Sequence, residues 1–233
     1  MSLWSLFNAN DGKTVFKWTH YLPIYEHHFS RYVNRPITLL EIGCLHGGSL
    51  QMWKRFLGPH VTIVSIDIDA NAKNHEEDQV YIRIGDQSDE SFLLSLVEEF
   101  GKFDIIIDDG SHVCEHQIKS FSVLYPHVTD LGLYALEDLH TNYWPDYGGG
   151  YKKPSTFIEL AKNLIDELNA YHTRGANEVS EFTNSTYGMH FYDSMIVFEK
   201  GRLPRRHDLL IGTNSDGKKC WQEKQSVPYK KTR

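Results

Sequence analysis

Phe103-Asp-Ile-Ile-Ile-Asp108-Asp109-Gly110-Ser111-His112 and Gly132-Leu-Tyr-Ala-Leu-Glu137-Asp138-Leu139-His140 read as two buried strands that each stop at a pair of acids. A run of branched apolar residues cut off by carboxylates is the pattern of a parallel strand, covered on both faces, where it opens onto a ligand crevice. Singly, each acid could cap a helix or pair with a lysine. Together they crowd negative charge at one sheet edge, and a bound cation is the simplest compensation. Successive residues of an extended segment point to opposite sides, so Asp108 and Asp109 face different partners.

Outward from these two strands the chain alternates. Ile37 to Ile42, Val61 to Ile66 and Val80 to Ile84 read as three earlier strands. Leu50, Trp53 and Leu57, then Leu93, Leu96, Val97 and Phe100, then Ile118, Phe121 and Leu124 form apolar stripes of intervening helices, with Gly58-Pro59, Gly101 and Pro126 as stops. After Gly148-Gly149-Gly150, Phe157, Ala161, Leu164, Ile165 and Leu168 mark a further helix, and Met189 to Tyr192 and Met195 to Phe198 a hairpin turning at Asp193-Ser194. The expected class is α/β: an open, mostly parallel, seven-stranded sheet with helices on both faces and a terminal antiparallel hairpin. The expected divisions are an aromatic-rich segment (1–35), the main domain (36–201) and a polar, basic tail (202–233) read as solvated and partly frayed.

With 233 residues, 40% of them hydrophobic, the chain can bury a sizeable core. A formal net charge of -7, from 24 basic and 31 acidic residues, gives no electrostatic footprint for nucleic acid or an anionic membrane. Cys44, Cys114 and Cys220 are odd in number and follow no metal spacing, which predicts a reducing, cytoplasmic setting. The first residues have neither the basic start nor the apolar run of a signal peptide or membrane span.

The first strand runs into Glu41-Ile-Gly43-Cys-Leu-His-Gly47-Gly48-Ser49. Glycines at such a turn admit a ligand close to the backbone, and the following helix directs its amides at it. An acid at position 41 repels a pyrophosphate but suits an ammonium, and the spacing is not that of a dinucleotide fingerprint. Asp67, ending the second strand, is placed to accept from both hydroxyls of a ribose, with Asp69 the solvated neighbour. Asp86 and Gln87 end the third strand in the same crevice, where they either read an adenine amino group or cap the next helix.

Glu41-x-Gly43-x-x-x-Gly47, Asp67, Asp86 and the acid-ended fourth strand resemble the class I S-adenosylmethionine-dependent methyltransferases, a Rossmann-like fold, over residues 37 to 200; Leu45, where many members have glycine, departs from them. Asp109-Gly-Ser-His112 with Glu137-Asp138 is similar to the metal-dependent sugar O-methyltransferases of macrolide and polyketide antibiotic biosynthesis and their cephalosporin-modifying relatives. The resemblance implies S-adenosylmethionine bound by Glu41, Gly43, Gly47, Ser49, Asp67, Asp86, Gln87 and Asp108. It also implies a magnesium ion on Asp109, Glu137 and Asp138, His112 as general base, a hydroxylated small-molecule acceptor, and scope for a homo-oligomer. Carboxylate oxygens do favour magnesium, and a histidine can take the proton of a metal-activated hydroxyl. His116 and His140 are the rival bases.

Trp18 to Phe29 reads either as a lid or as packing. Packing is expected of Ile24, Tyr25 and Phe29, and Tyr21 is expected to face ligand. Tyr143, Trp144 and Tyr147, ahead of the triple glycine, suit the apolar faces of a sugar and a closing loop. The alternatives are a catechol or antibiotic nucleus as acceptor, and a binding module without catalysis.

Overall fold

The computed structural model describes residues 2–202, 208–213 and 215–224. Seven strands form one sheet in the order β3-β2-β1-β4-β5-β7-β6. They are β1 (Thr38–Ile42), β2 (Thr62–Asp67), β3 (Val80–Ile84), β4 (Phe103–Asp108), β5 (Val128–Leu136), β6 (Thr186–Tyr192) and β7 (Met195–Lys200). The first five run parallel and β7 enters antiparallel between β5 and β6. Helices α1 (Leu3–Asn8), α2 (Tyr21–Phe29) and α3 (Gly48–Leu57) precede β2; α4 (Glu90–Phe100), α5 (Cys114–Leu124), α6 (Phe157–Leu168) and α7 (Glu181–Ser185) follow β3.

Alternate residues of each central strand face opposite sides, so the sheet has two cores. Leu39, Ile63, Ile105 and Val197 pack with α1, α2 and α3 through Leu3, Tyr25, Phe29 and Trp53. Leu40, Val64, Ile106 and Phe198 pack with α4, α5 and α6 through Leu93, Phe121 and Phe157. Each fully buried large side chain contributes about 1.5–3 kcal/mol. The N-terminal segment is thus continuous with the core through α1 and α2, and Tyr25 and Phe29 pack as expected.

Chain direction on the sheet reverses at β1, which has β2 on one side and β4 on the other, so the loops leaving β1 and β4 part and open a crevice. Register sets what meets there: Ile42 pairs with both Ile66 and Asp108, and Asp108 with Leu136. The ladder runs one residue further, with Gly43 N donating to Ile66 O, Asp109 N to Ile42 O and Glu137 N to Asp108 O (2.8, 3.0 and 3.0 Å).

Two expectations change. β5 starts at Val128 rather than Leu133, because its pairing with β4 is interrupted between Phe103↔Val128 and Ile105↔Leu133, where Leu131 turns left-handed and the apolar pattern breaks. The tail contains a second, two-stranded sheet, β8 (Asp208–Thr213) with β9 (Lys219–Lys224). Its alternation is diluted by lysines, which favoured a frayed reading. The remainder of that tail, 203–207, 214 and 225–233, lies outside the described residues. No helix among the described residues is long and apolar enough to cross a membrane.

Candidate active site

A cleft of about 360 Å³ lies at the reversal point, bordered by the turns after β1 to β5 and by Thr14 to Trp18. At one end Gly43, with φ 85°, lies so close to the loop after β4 that a side chain would overlap the Asp109 carbonyl. Gly48, first residue of α3, lies equally close to the Thr14 carbonyl. Asp67 lines the cleft and fixes the turn, its Oδ2 accepting from Cys44 N and Leu45 N (3.1 and 3.2 Å). Its Oδ1 accepts from Asp69 N at 3.0 Å. Leu45 itself is left-handed and exposed, so the turn accommodates its side chain.

Asp86 also faces the cleft, with Oδ1 accepting from Ser88 N and Oγ, both at 2.8 Å, which hold its carboxyl below the usual range. The capping role weighed for it belongs to Asp89, which accepts from Ser91 N and Phe92 N at the start of α4. Gln87 is nearly buried and its amide is committed: Nε2 donates to Asp108 Oδ1 (3.2 Å) and Oε1 accepts from Ser111 N (2.6 Å).

Two acids sit differently from their sequence reading. Asp108 is buried beneath the cleft rather than in it, accepting from Ser120 Oγ and from Tyr134 OH. Burial raises its pKa against those donors. It reaches the cleft only through Gln87 and the Ser111 amide. Glu41 is fully buried and accepts from Ser49 Oγ (2.7 Å) and Trp53 Nε1 (3.2 Å). The ammonium beside it is the protein's own, Lys17 Nζ at 3.3 Å.

Lys17 is the residue that sequence reasoning missed. Its buried ammonium also pairs with Asp109 Oδ2 and, at 2.6 Å, with Glu137 Oε1. Burial lowers its pKa, but the charges of Asp109, Glu137 and Glu41 outweigh it and hold the pKa well above the usual lysine range. One ammonium cannot neutralise three carboxylates. Burial, then the like charge of Asp109, push Glu137 up to about 8 against the pull of Lys17. Tyr25 OH donates to Glu137 as well, so this carboxylate faces α2 and Lys17.

The second acid of the pair turns the other way. Asp138 is left-handed, with φ 54°, a conformation that aspartate tolerates better than most residues. Tyr21 OH donates to its Oδ1 at 2.8 Å, and its own amide donates to Tyr21 OH at 3.2 Å. Tyr21 is therefore buried and holds Asp138, where a ligand-facing ring was expected. His112 is left-handed too, and its Nε2 stands 3.8 Å from Asp109 Oδ1 and 3.6 Å from Asp138 Oδ2. Its buried Nδ1 has no hydrogen-bond partner among the described residues. Thr141 Oγ1, between the carbonyls of His112 (3.0 Å) and Asp138 (2.8 Å), ties the two together.

Asp109, His112 and Asp138 thus offer ligand atoms within 4.8 Å of one another, with Glu137 set behind them. Two carboxylates facing one opening, with a third behind them, fit a divalent cation, and His112 Nε2 stands beside the pair. Of the rival bases, His116 lines the cleft with Nδ1 2.9 Å from Ser111 Oγ. His140 is turned to Ser194 Oγ (2.6 Å) and borders a second cleft of about 440 Å³ walled by Leu139, Tyr143, Ile158, Phe191 and Ile196.

A seven-stranded sheet of this order, with an acid-rich cleft at the reversal point, is the architecture of the class I S-adenosylmethionine-dependent methyltransferases. Demethylmacrocin O-methyltransferase of Streptomyces fradiae is 36% identical over 219 residues, 84% of this chain and 55% of that one. The 8-demethyl-8-(2-methoxy-alpha-L-rhamnosyl)-tetracenomycin-C 3'-O-methyltransferase of Streptomyces olivaceus is 39% identical over 208 residues, 84% of this chain and 52% of that one. Among solved structures, the MycE methyltransferase of the mycinamycin biosynthetic pathway, in complex with Mg, SAH and mycinamycin VI, superposes with a TM-score of 0.79 at 34% identity, covering 87% of this chain and 54% of that one. The chain belongs with the macrolide and polyketide sugar O-methyltransferases. It spans about half the length of the curated relatives it matches. No family model matches.

Proposed function

We propose that the chain is the catalytic part of an O-methyltransferase that moves the methyl group of S-adenosylmethionine to a hydroxyl on the sugar of a natural-product glycoside. The observation that carries this reading is the position of His112 Nε2, facing both Asp109 and Asp138 in the cleft that the glycine turn and Asp67 border.

S-adenosylmethionine supplies a sulfonium-bound methyl group. Gly43 and the turn to Gly47 leave room for it against the backbone, and the remaining lone pair of Asp67 Oδ1 suits a ribose hydroxyl. Asp86, ionised and beside the same opening, suits an adenine amino group. Asp109 and Asp138 would hold magnesium, with Glu137 behind them; when bound, that ion lowers the pKa of a hydroxyl and stabilises the developing alkoxide. His112 Nε2 takes the hydroxyl proton as the new O–CH3 bond forms and the S–CH3 bond breaks, leaving a methyl ether and the thioether by-product. Tyr21, Tyr25 and Thr141 hold the acids and His112 in place, so little reorganisation accompanies the step.

The second cleft supports a glycoside over a catechol. Its apolar wall begins at Leu139 and His140, directly after Asp138 in the chain, and suits a bulky apolar aglycone attached to the methylated sugar. Assay with labelled cofactor against deoxysugar glycosides and catechols separates the two: label is expected in glycosides, and label in catechols alone would refute the sugar reading. Formation of the by-product with any acceptor would exclude a purely binding role.

A further inference from the structure

On the sheet face covered by α2, at the β6 edge and apart from the cleft, three metal-ligating side chains meet. His28 comes from α2, His190 from β6 and Glu199 from β7, and their ligand atoms all lie within 4.8 Å of one another. His190 Nε2 is 3.1 Å from Glu199 Oε2. The His28 and His190 rings are 4.8 Å apart, centroid to centroid, and His28 Nε2 is 2.9 Å from Tyr192 OH. Arg31 holds the other oxygen of Glu199 at 2.9 Å, and the His27 ring lies 4.9 Å from that of His28.

We propose that His28, His190 and Glu199 form a second metal site, of the zinc class, that clips α2 to the terminal hairpin. Two imidazoles and one carboxylate are the donor set of zinc, whereas magnesium prefers oxygen alone. The ligands come from a helix and two paired strands, so the backbone is fixed before any ion arrives. Zinc needs neutral imidazoles and an ionised carboxylate. Tyr192 stands beside His28 as the outer hydrogen-bond partner that orients a ligating imidazole.

The clip bears on the cleft through α2. That helix carries Tyr21 and Tyr25, whose hydroxyls donate to Asp138 and Glu137. Fixing α2 to the hairpin fixes both donors.

The test is a zinc titration of the metal-stripped full chain by calorimetry, with thermal denaturation in parallel. Wild-type protein is expected to bind zinc and gain Tm, and a D109N/D138N variant, whose cleft ligands are gone, is expected to keep both effects. H190A and E199Q, at partly exposed positions, should each lose them while retaining the metal-free Tm. Cobalt gives a second readout, with ligand-field bands in wild type that are absent in H190A. Zinc binding that D109N/D138N abolishes and H190A retains would overturn the proposal, as would wild-type protein that binds no zinc.

Discussion

His112 holds φ at 58° and directs Nε2 between two carboxylates while its Nδ1 goes without a partner. A residue kept in a disfavoured conformation with an unsatisfied buried nitrogen is there for something other than stability. His112→Ala is expected to lower turnover by about 10²- to 10⁴-fold and to leave calorimetric SAH binding unchanged; near-normal turnover would remove it as base. Lys17 has the opposite character. Its ammonium holds Asp109 and the buried Glu137, 92 and 120 residues away in sequence, a pairing that no local pattern announces. Removing one partner of a buried ion pair typically costs about 3–5 kcal/mol. Urea denaturation of Lys17→Met in EDTA should show a loss of that order, partly recovered with magnesium, because a divalent cation can serve the same acids. Asp67, Asp86, Asp109 and Asp138 were legible because each follows an apolar strand. Glu41 and Asp108 were legible as strand-end acids, but not the Trp53, Tyr134 and Ser120 side chains that take up their oxygens inside the protein.

At the scale of elements, α2 is where sequence and structure diverge most usefully. Its apolar residues were readable as packing, but the tyrosine hydroxyls at positions 21 and 25 reach the acid pair after β5 only through the fold. Tyr21→Phe removes the donor to Asp138 Oδ1 and is expected to weaken magnesium or manganese binding about 10- to 100-fold, measured by calorimetry, with SAH affinity unaffected. Unaltered metal affinity would show that Asp138 needs no such support. The turn between β1 and α3 gives the complementary case. Gly43→Ala places a side chain at φ 85° against the Asp109 carbonyl. Strain of order 1–3 kcal/mol should lower Tm, and SAH binding should weaken beyond detection by calorimetry; unchanged binding would contradict the close-approach role. The five parallel strands were legible from apolar runs. The early start of β5 was not, because its interruption breaks the pattern, and β8 and β9 were not, because neither shows a clean apolar alternation: β8 has a short apolar run ending at Gly212 and β9 is rich in charged residues.

Across the whole molecule, charge decides how the parts combine. Asp109, Glu137 and Asp138 lie at one end of the cleft with Glu41 buried beneath, and Lys17 is the ammonium paired with Glu41, Asp109 and Glu137. The excess is what a divalent ion and a cationic methyl donor would offset together, which links binding of the two. The fold class was readable from the alternation of strands and helices; the division of the acids between an internal ammonium and an external cation was not, since it depends on which way adjacent residues turn after β5. The most direct test is transfer of labelled methyl from S-adenosylmethionine to a deoxysugar glycoside, measured in excess EDTA and again after magnesium is restored. Transfer that stops in EDTA and returns with magnesium is the expected result, and transfer indifferent to EDTA would contradict the metal-assisted site.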